Sequence, residues 1–235
     1  MTAAALVTPA RAQDAFEIQV YASDTAARGE AGLEVHANHH FVRDAADASH
    51  LTFEPHYGVL EWLEVGGYLQ TALTDGDVAF GGGKLRVKAR MPRRLWHDRI
   101  GLAVNTEVSA VPEQFEPDVW GSEVRPIADL TTTDFYASIN PILAIDLRGE
   151  LAGHPQLEPA VKLAGRLSPR WSLGVEAYGA FGPIDDLGSE HVGTLLAAVD
   201  YAGRWLDLNV GAGPSWGGDD GAIIKIIVGV HPSSE

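Results

Sequence analysis

The chain has no cysteine, so neither a disulfide framework nor a thiolate metal site can be built from it. Basic residues are scarce: 17 Lys and Arg stand against 32 Asp and Glu, a formal net charge of −15. Such a surface argues against nucleic acid as a general partner, although a basic strip inside the fold is compatible with it. No apolar run reaches the ~18 to 20 residues of a membrane-spanning helix. No segment of helical length keeps a 3.6-residue period either. A helical membrane protein is excluded. A membrane barrel is not, because its strands are apolar on one face only.

What the chain does have is alternation. From Leu157 to Phe181 two arms flank a turn at Ser168-Pro169-Arg170. Leu163, Leu173 and Val175 fall on one face, and Glu158, Lys162, Glu176 and Tyr178 on the other. A period of two separates such sets only in a strand. The same pattern recurs from Phe16 to Tyr21 and from Leu33 to Val230. Counting from Leu33 gives about twelve strands, an even number as single-chain bacterial barrels require. Phe16 to Tyr21 would be a further strand, including a partner of the last one, a periplasmic lead-in, or a segment inside a lumen.

Connections alternate in length. Short links at Glu61-Trp62, Thr131 to Thr133, Ser168 to Arg170 and Ala202 to Arg204 alternate with longer ones, among them Pro112 to Asp118 and Gly182 to Glu190. Thr74 to Asp77 and Pro92 to Asp98 break this rhythm. Short turns at one end and long loops at the other describe an up-and-down meander. All six tryptophans lie at strand ends or in adjoining turns, where amphipathic rings suit the two membrane interfaces.

The predicted fold is therefore all-β: an antiparallel up-and-down transmembrane barrel with a polar, charged lumen. Glu54, Glu64, Tyr68 and Gln70 are expected to line it, followed by the alternating basic ladder Lys84, Arg86, Lys88 and Arg90. Asn105, Glu107, Arg125, Asn140, Glu158, Lys162, Glu176 and Tyr178 complete the lining. Acidic residues on neighbouring strands can pair with the ladder. A charged lumen of this kind selects solutes by charge and dipole. Four polar-Pro pairs, Glu54-Pro55, Arg125-Pro126, Asn140-Pro141 and Glu158-Pro159, interrupt strands. Proline cannot donate to a ladder, so bulges are expected there, or a wall that is locally open to lipid.

Residues 1–12 read as the remnant of a secretory leader, with Ala10-Arg11-Ala12 as a small-x-small cleavage pattern, and residues 13–235 as one barrel domain. No cofactor and no catalytic motif is read. Gly81-Gly82-Gly83-Lys84 lacks the following helix of a phosphate loop and reads instead as a strand bend or a close backbone approach. His36, His40 and His56 are weak metal candidates. On one strand His36 and His40 stand ~13 Å apart, too far to share an ion alone.

The runs FEPHYGVLEWLEVGGYLQTAL, INPILAIDL and LEPAVKLAGRLSPRWSLGVEAYGAFGP resemble outer-membrane β-barrel transporters of the MetA phenol-degradation pathway type. The resemblance implies a porin-like channel in the outer membrane of a Gram-negative bacterium. It would be a monomer whose partners are outer-membrane lipid and a small solute, including aromatic or apolar compounds. The competing readings are a closed structural barrel without a pore and a soluble periplasmic ligand-binding β protein.

Overall fold

The structure of the protein, a computed structural model, describes residues 14–231 apart from 44–45, 75–76, 116–118, 150–151 and 219. The expected leader lies outside the described residues. Alternation becomes fourteen strand segments. They are β1 (Ala31–Val42), β2 (Ala48–Leu60), β3 (Leu63–Thr74), β4 (Asp77–Arg90), β5 (Ile100–Ala110), β6 (Trp120–Thr131) and β7 (Phe135–Asn140). After these come β8 (Leu143–Asp146), β9 (Gln156–Leu157), β10 (Ala160–Arg166), β11 (Trp171–Ala180), β12 (Val192–Ala202), β13 (Leu206–Trp216) and β14 (Gly221–Val230). Each pairs antiparallel with its neighbours, and β1 pairs with β14 from Leu33↔Val230 to Val42↔Gly221, which closes the sheet.

The wall nevertheless has twelve positions. β7 and β8 occupy one of them and β9 and β10 another, each broken by a proline. β6 spans the first break, pairing with β7 near one end and β8 near the other. Closure leaves no sheet edge to aggregate.

Burial shows which face is inside. Thr52 and Glu54 are fully buried, while Leu51 and Phe53 between them are 37% exposed. In the β10–β11 hairpin Lys162, Glu176 and Tyr178 are buried, and Leu163, Leu173 and Val175 are exposed. The polar face is the interior. The six tryptophans are all exposed at the two rims: Trp62, Trp96, Trp171 and Trp205 at the end with short turns, Trp120 and Trp216 at the end with long loops.

Both irregular connections are real. β3 ends at Thr74 and β4 begins at Asp77, its pairing partner, at the loop end. β4 passes to β5 through a one-turn helix, α1 (Leu95–Asp98), where Trp96, His97 and Asp98 have positive φ. The bulges fall elsewhere than expected. Register shifts occur between Gly58 and Leu60 and between Gln70 and Thr71, not at the prolines. Gly82, with φ of +106°, lies opposite the second of these, and a Cβ on Gly81 would meet the Phe16 ring at 2.3 Å. The glycine run is thus both a bend and a close approach.

Candidate functional site: the barrel interior

The barrel is filled by its own N-terminal segment. Residues 14–30 form no strand; they thread the interior and then turn back into β1. At the loop end the Phe16 ring stands edge-on to His50 and Phe115, at 4.7 and 5.4 Å. At the turn end the Ser23 amide donates to Asp129 at 2.6 Å, the Gly29 amide donates to the Gly58 carbonyl at 2.8 Å, and the Gly58 amide donates to the Glu30 carbonyl at 2.9 Å. Of the three readings open for Phe16 to Tyr21, the lumen segment is the outcome.

An extended segment inside a barrel has no ladder, so its backbone must find side chains. Thr52 and Asn38 donate to the carbonyls of Phe16 and Ala15 at 2.9 and 3.1 Å. Lys225 donates to the Ile18 carbonyl at 2.9 Å, and Ser138 and Asn140 to that of Tyr21 at 2.7 and 3.1 Å. The Asn140 carbonyl oxygen accepts from the Tyr21 amide at 2.7 Å. Asn140 thus performs for one residue what a neighbouring strand would.

The segment's alternation sorts its side chains between two unlike arcs of the wall. Glu17 and Tyr21 face a charged arc built on β1 to β6. There Lys84 meets Asp14, Glu17 and Glu107 at 2.6, 3.1 and 3.3 Å. Arg86 bridges Glu54 and Glu64 at 2.6 and 2.7 Å, and Arg125 meets Glu123 at 2.7 Å and Glu17 at 3.6 Å. The Tyr21 ring lies 4.3 Å from the Arg125 guanidinium and 5.3 Å from the Lys88 ammonium. Its hydroxyl meets that of Tyr68 at 2.5 Å and donates to Glu17 at 2.6 Å.

Ile18 and Val20 face the other way. With Ile142, Ala160, Tyr178, Ala180, Val192, Leu196 and Ile223 they form one buried apolar cluster. Its wall residues come from β10, β11, β12 and β14 and from the β7–β8 break. Among the described residues the buried ions of this arc gather at Glu176, paired with Lys225 at 2.5 Å and Lys162 at 3.1 Å, with Asp200 also 2.5 Å from Lys162. Beside the polar, charged lining expected from the sequence, the interior therefore carries an apolar arc that the sequence reading did not name.

Of the residues named from the sequence, Glu54, Glu64, Tyr68, Gln70, Lys84, Arg86, Lys88, Asn105 and Glu107 are buried inside. So are Arg125, Asn140, Lys162, Glu176 and Tyr178. Arg90 and Glu158 are half-buried, with Arg90 donating to Thr25 and the Glu61 carbonyl at the turn end. Among the histidines, His36 meets Glu54 at 3.1 Å and Glu34 at 3.6 Å. His40 instead stands edge-on to His50 at 5.1 Å, and His56 lies over Gly32. The sequence reading missed Glu17, Ile18 and Val20 as interior groups that contact the wall; their alternation was the available signal.

The prolines align. Val124↔Leu143 and Ala128↔Ile139 set Pro126 opposite Pro141, and Ala160↔Asn140 with Leu143↔Leu157 set Pro159 opposite Pro141. Three prolines thus form one row across adjacent wall positions. Glu158 N–H bonds the Ile142 carbonyl at 2.9 Å, so the backbone groups of Pro141 point away from it, at Pro126. Neither proline has an N–H to give, and both ladder bonds are missing at that pair. Pro159 accepts from the Gly179 amide at 3.0 Å but returns no bond. Directly inside this seam lie Ile142 and Ala160, fully buried members of the apolar arc.

No protein-family model matches the chain, and no curated protein does. Solved structures do. The COG4313 outer membrane channel from Pseudomonas putida F1 is similar over 92% of this chain and 100% of its own, with a TM-score of 0.63 and 10% identity. The KdgM porin is similar over 84% of this chain and 98% of its own, with a TM-score of 0.56 and 7% identity. At these identities the likeness is one of fold: a closed outer-membrane-type barrel.

Proposed function

We propose that the chain is a monomeric, non-catalytic channel of the outer membrane that passes small apolar solutes, aromatic compounds among them. This is the activity implied by its resemblance to transporters of the MetA phenol-degradation type. On this reading residues 1–12 are the end of a secretory leader, and the exposed aliphatic face with its two tryptophan rims meets lipid. The long loops then face outward and the short turns the periplasm.

The observation that carries the proposal is the proline seam backed by the apolar arc. The axial route is filled by residues 14–23, whose polar side is pinned by ion pairs. The seam is where the wall has lost its hydrogen bonds, and Ile142 and Ala160 behind it join the aliphatic interior to the aliphatic exterior. A solute moving between them passes an apolar surface and crosses the cheapest part of the sheet. The similar solved structures are themselves described as a channel and a porin, which accords with passage. The charged residues named above line the interior and hold the segment in place.

Uptake of a radiolabelled aromatic compound tests this, in cells whose lipopolysaccharide excludes it, alongside liposome swelling with sugars of increasing size. Faster aromatic uptake with little sugar-driven swelling is expected. Rapid swelling with large sugars would overturn the proposal in favour of a hydrophilic pore. A second reading, a closed structural barrel, is favoured by the density of ion pairs in the interior; it predicts neither effect.

A further inference from the structure

Glu34 and Glu54 lie directly opposite each other on β1 and β2. Like charges in a cross-strand pair repel, and here they point inward, where water screens them poorly. His36, fully buried, lies between them: its Nε2 is 3.1 Å from Glu54 Oε2 and 3.6 Å from Glu34 Oε2. The three ligand atoms all lie within 4.8 Å of one another.

We infer that Glu34, His36 and Glu54 form a binding site for a divalent transition-metal ion, with Gln19 of the threading segment as a fourth ligand. One imidazole nitrogen and two carboxylate oxygens suit zinc or a similar first-row ion, and four ligands complete its tetrahedron. Separations of 3.1 and 3.6 Å between donor atoms match the edges of a polyhedron whose metal–ligand bonds are ~2.0 to 2.2 Å.

Two further observations point the same way. Gln19 Nε2 donates to Glu34 Oε2 at 3.0 Å, while its Oε1 is buried without a hydrogen-bond partner among the described residues. A half-turn of the amide exchanges the two atoms, frees Nε2 from the carboxylate and offers the ion an oxygen. Arg86 takes Glu54 through the other oxygen, Oε1, at 2.6 Å, and balances its charge on Glu64 as well. Glu54 Oε2 is therefore left for the ion, with Arg86 orienting the carboxylate from behind. The side chain of Glu34 is 27% exposed, which gives an ion a way in from the turn end. An ion bound here would join the threading segment to β1 and β2 in one coordination sphere.

The test is isothermal titration of zinc chloride into the folded, untagged protein in detergent after chelator dialysis. X-ray absorption at the zinc edge accompanies it. One zinc per chain, bound tighter than millimolar through one nitrogen and oxygen ligands, is expected. Glu34→Gln and His36→Gln should each weaken binding by more than the ~10- to 100-fold that loss of an outer-shell partner costs. His154→Gln, at an exposed loop histidine paired with Asp185, should leave it unchanged. Glu34→Gln is isosteric at a partly exposed side chain, so heat-modifiable migration on gels should show it folded. Wild-type binding no tighter than millimolar would overturn the inference, as would unchanged binding in folded Glu34→Gln. The titration reads the ion alone and stands apart from any transport result.

Discussion

The two arcs of the interior solve the same problem with opposite chemistry. Both must hold an extended segment that has no strand partner. The charged arc does it with ion pairs shared among three or more groups, as Lys84 is among Asp14, Glu17 and Glu107. The apolar arc does it by burying Ile18 and Val20 against Ile142, Ala180 and Leu196. Aliphatic contact is non-directional and survives sliding, whereas a buried ion pair tolerates little displacement before its desolvation goes uncompensated. One arc fixes the segment's position; the other lets a different apolar group take its place.

That contrast can be broken from the charged side first. Arg86→Met leaves Glu54 and Glu64 buried without their cation. It should cost ~3 to 5 kcal/mol, read as a lowered urea midpoint in detergent. Next comes Ile18→Ala, for which ~2 to 5 kcal/mol is the ordinary range of a buried aliphatic truncation. Here the loss should stay local: amides of residues 15–21 should exchange faster while the strands stay protected. Global loosening in this variant would show that the two arcs are not separable.

A smaller effect sharpens the role of the seam. Pro141→Thr restores an N–H facing Pro126, worth ~0.5 to 1.5 kcal/mol if the bond forms. The variant should unfold slightly later and take up the aromatic solute more slowly. Faster uptake would remove the seam from the pathway.

Much of the fold was legible because one face of most early strands is charged and the other aliphatic. In β4, Lys84, Arg86 and Lys88 alternate with Leu85 and Val87, and only one assignment of faces is physically sensible. The later strands carry less information. In β14, Ile223, Ile224, Ile226 and Ile227 flank Lys225, so both faces are aliphatic and nothing local says that Ile223 and Ile227 are inside. That ambiguity hid the apolar arc. The alignment of Pro126, Pro141 and Pro159 was hidden for a different reason. Each proline is visible in the chain, but their row exists only through register, which is set by pairing across strands. The neighbours of His36 were hidden for the same reason: they are glutamates set beside it by the β1–β2 register rather than other histidines.

The threading segment also constrains how the molecule is made. Ile18 receives its hydrogen bond from Lys225, 207 residues further along the chain. Asn38, Thr52 and Lys84 hold its polar side as the early strands form, but the Ile18 carbonyl and the apolar side are completed only with the last strand. Residues 14–30 precede β1, and β1 is one half of the closing pair with β14. The sheet therefore does not close and then admit a stopper; it wraps a chain already tethered to its first strand. Ring closure and interior packing become a single late event. A protein halted before β14 pairs would expose both a strand edge and an unsatisfied set of interior charges.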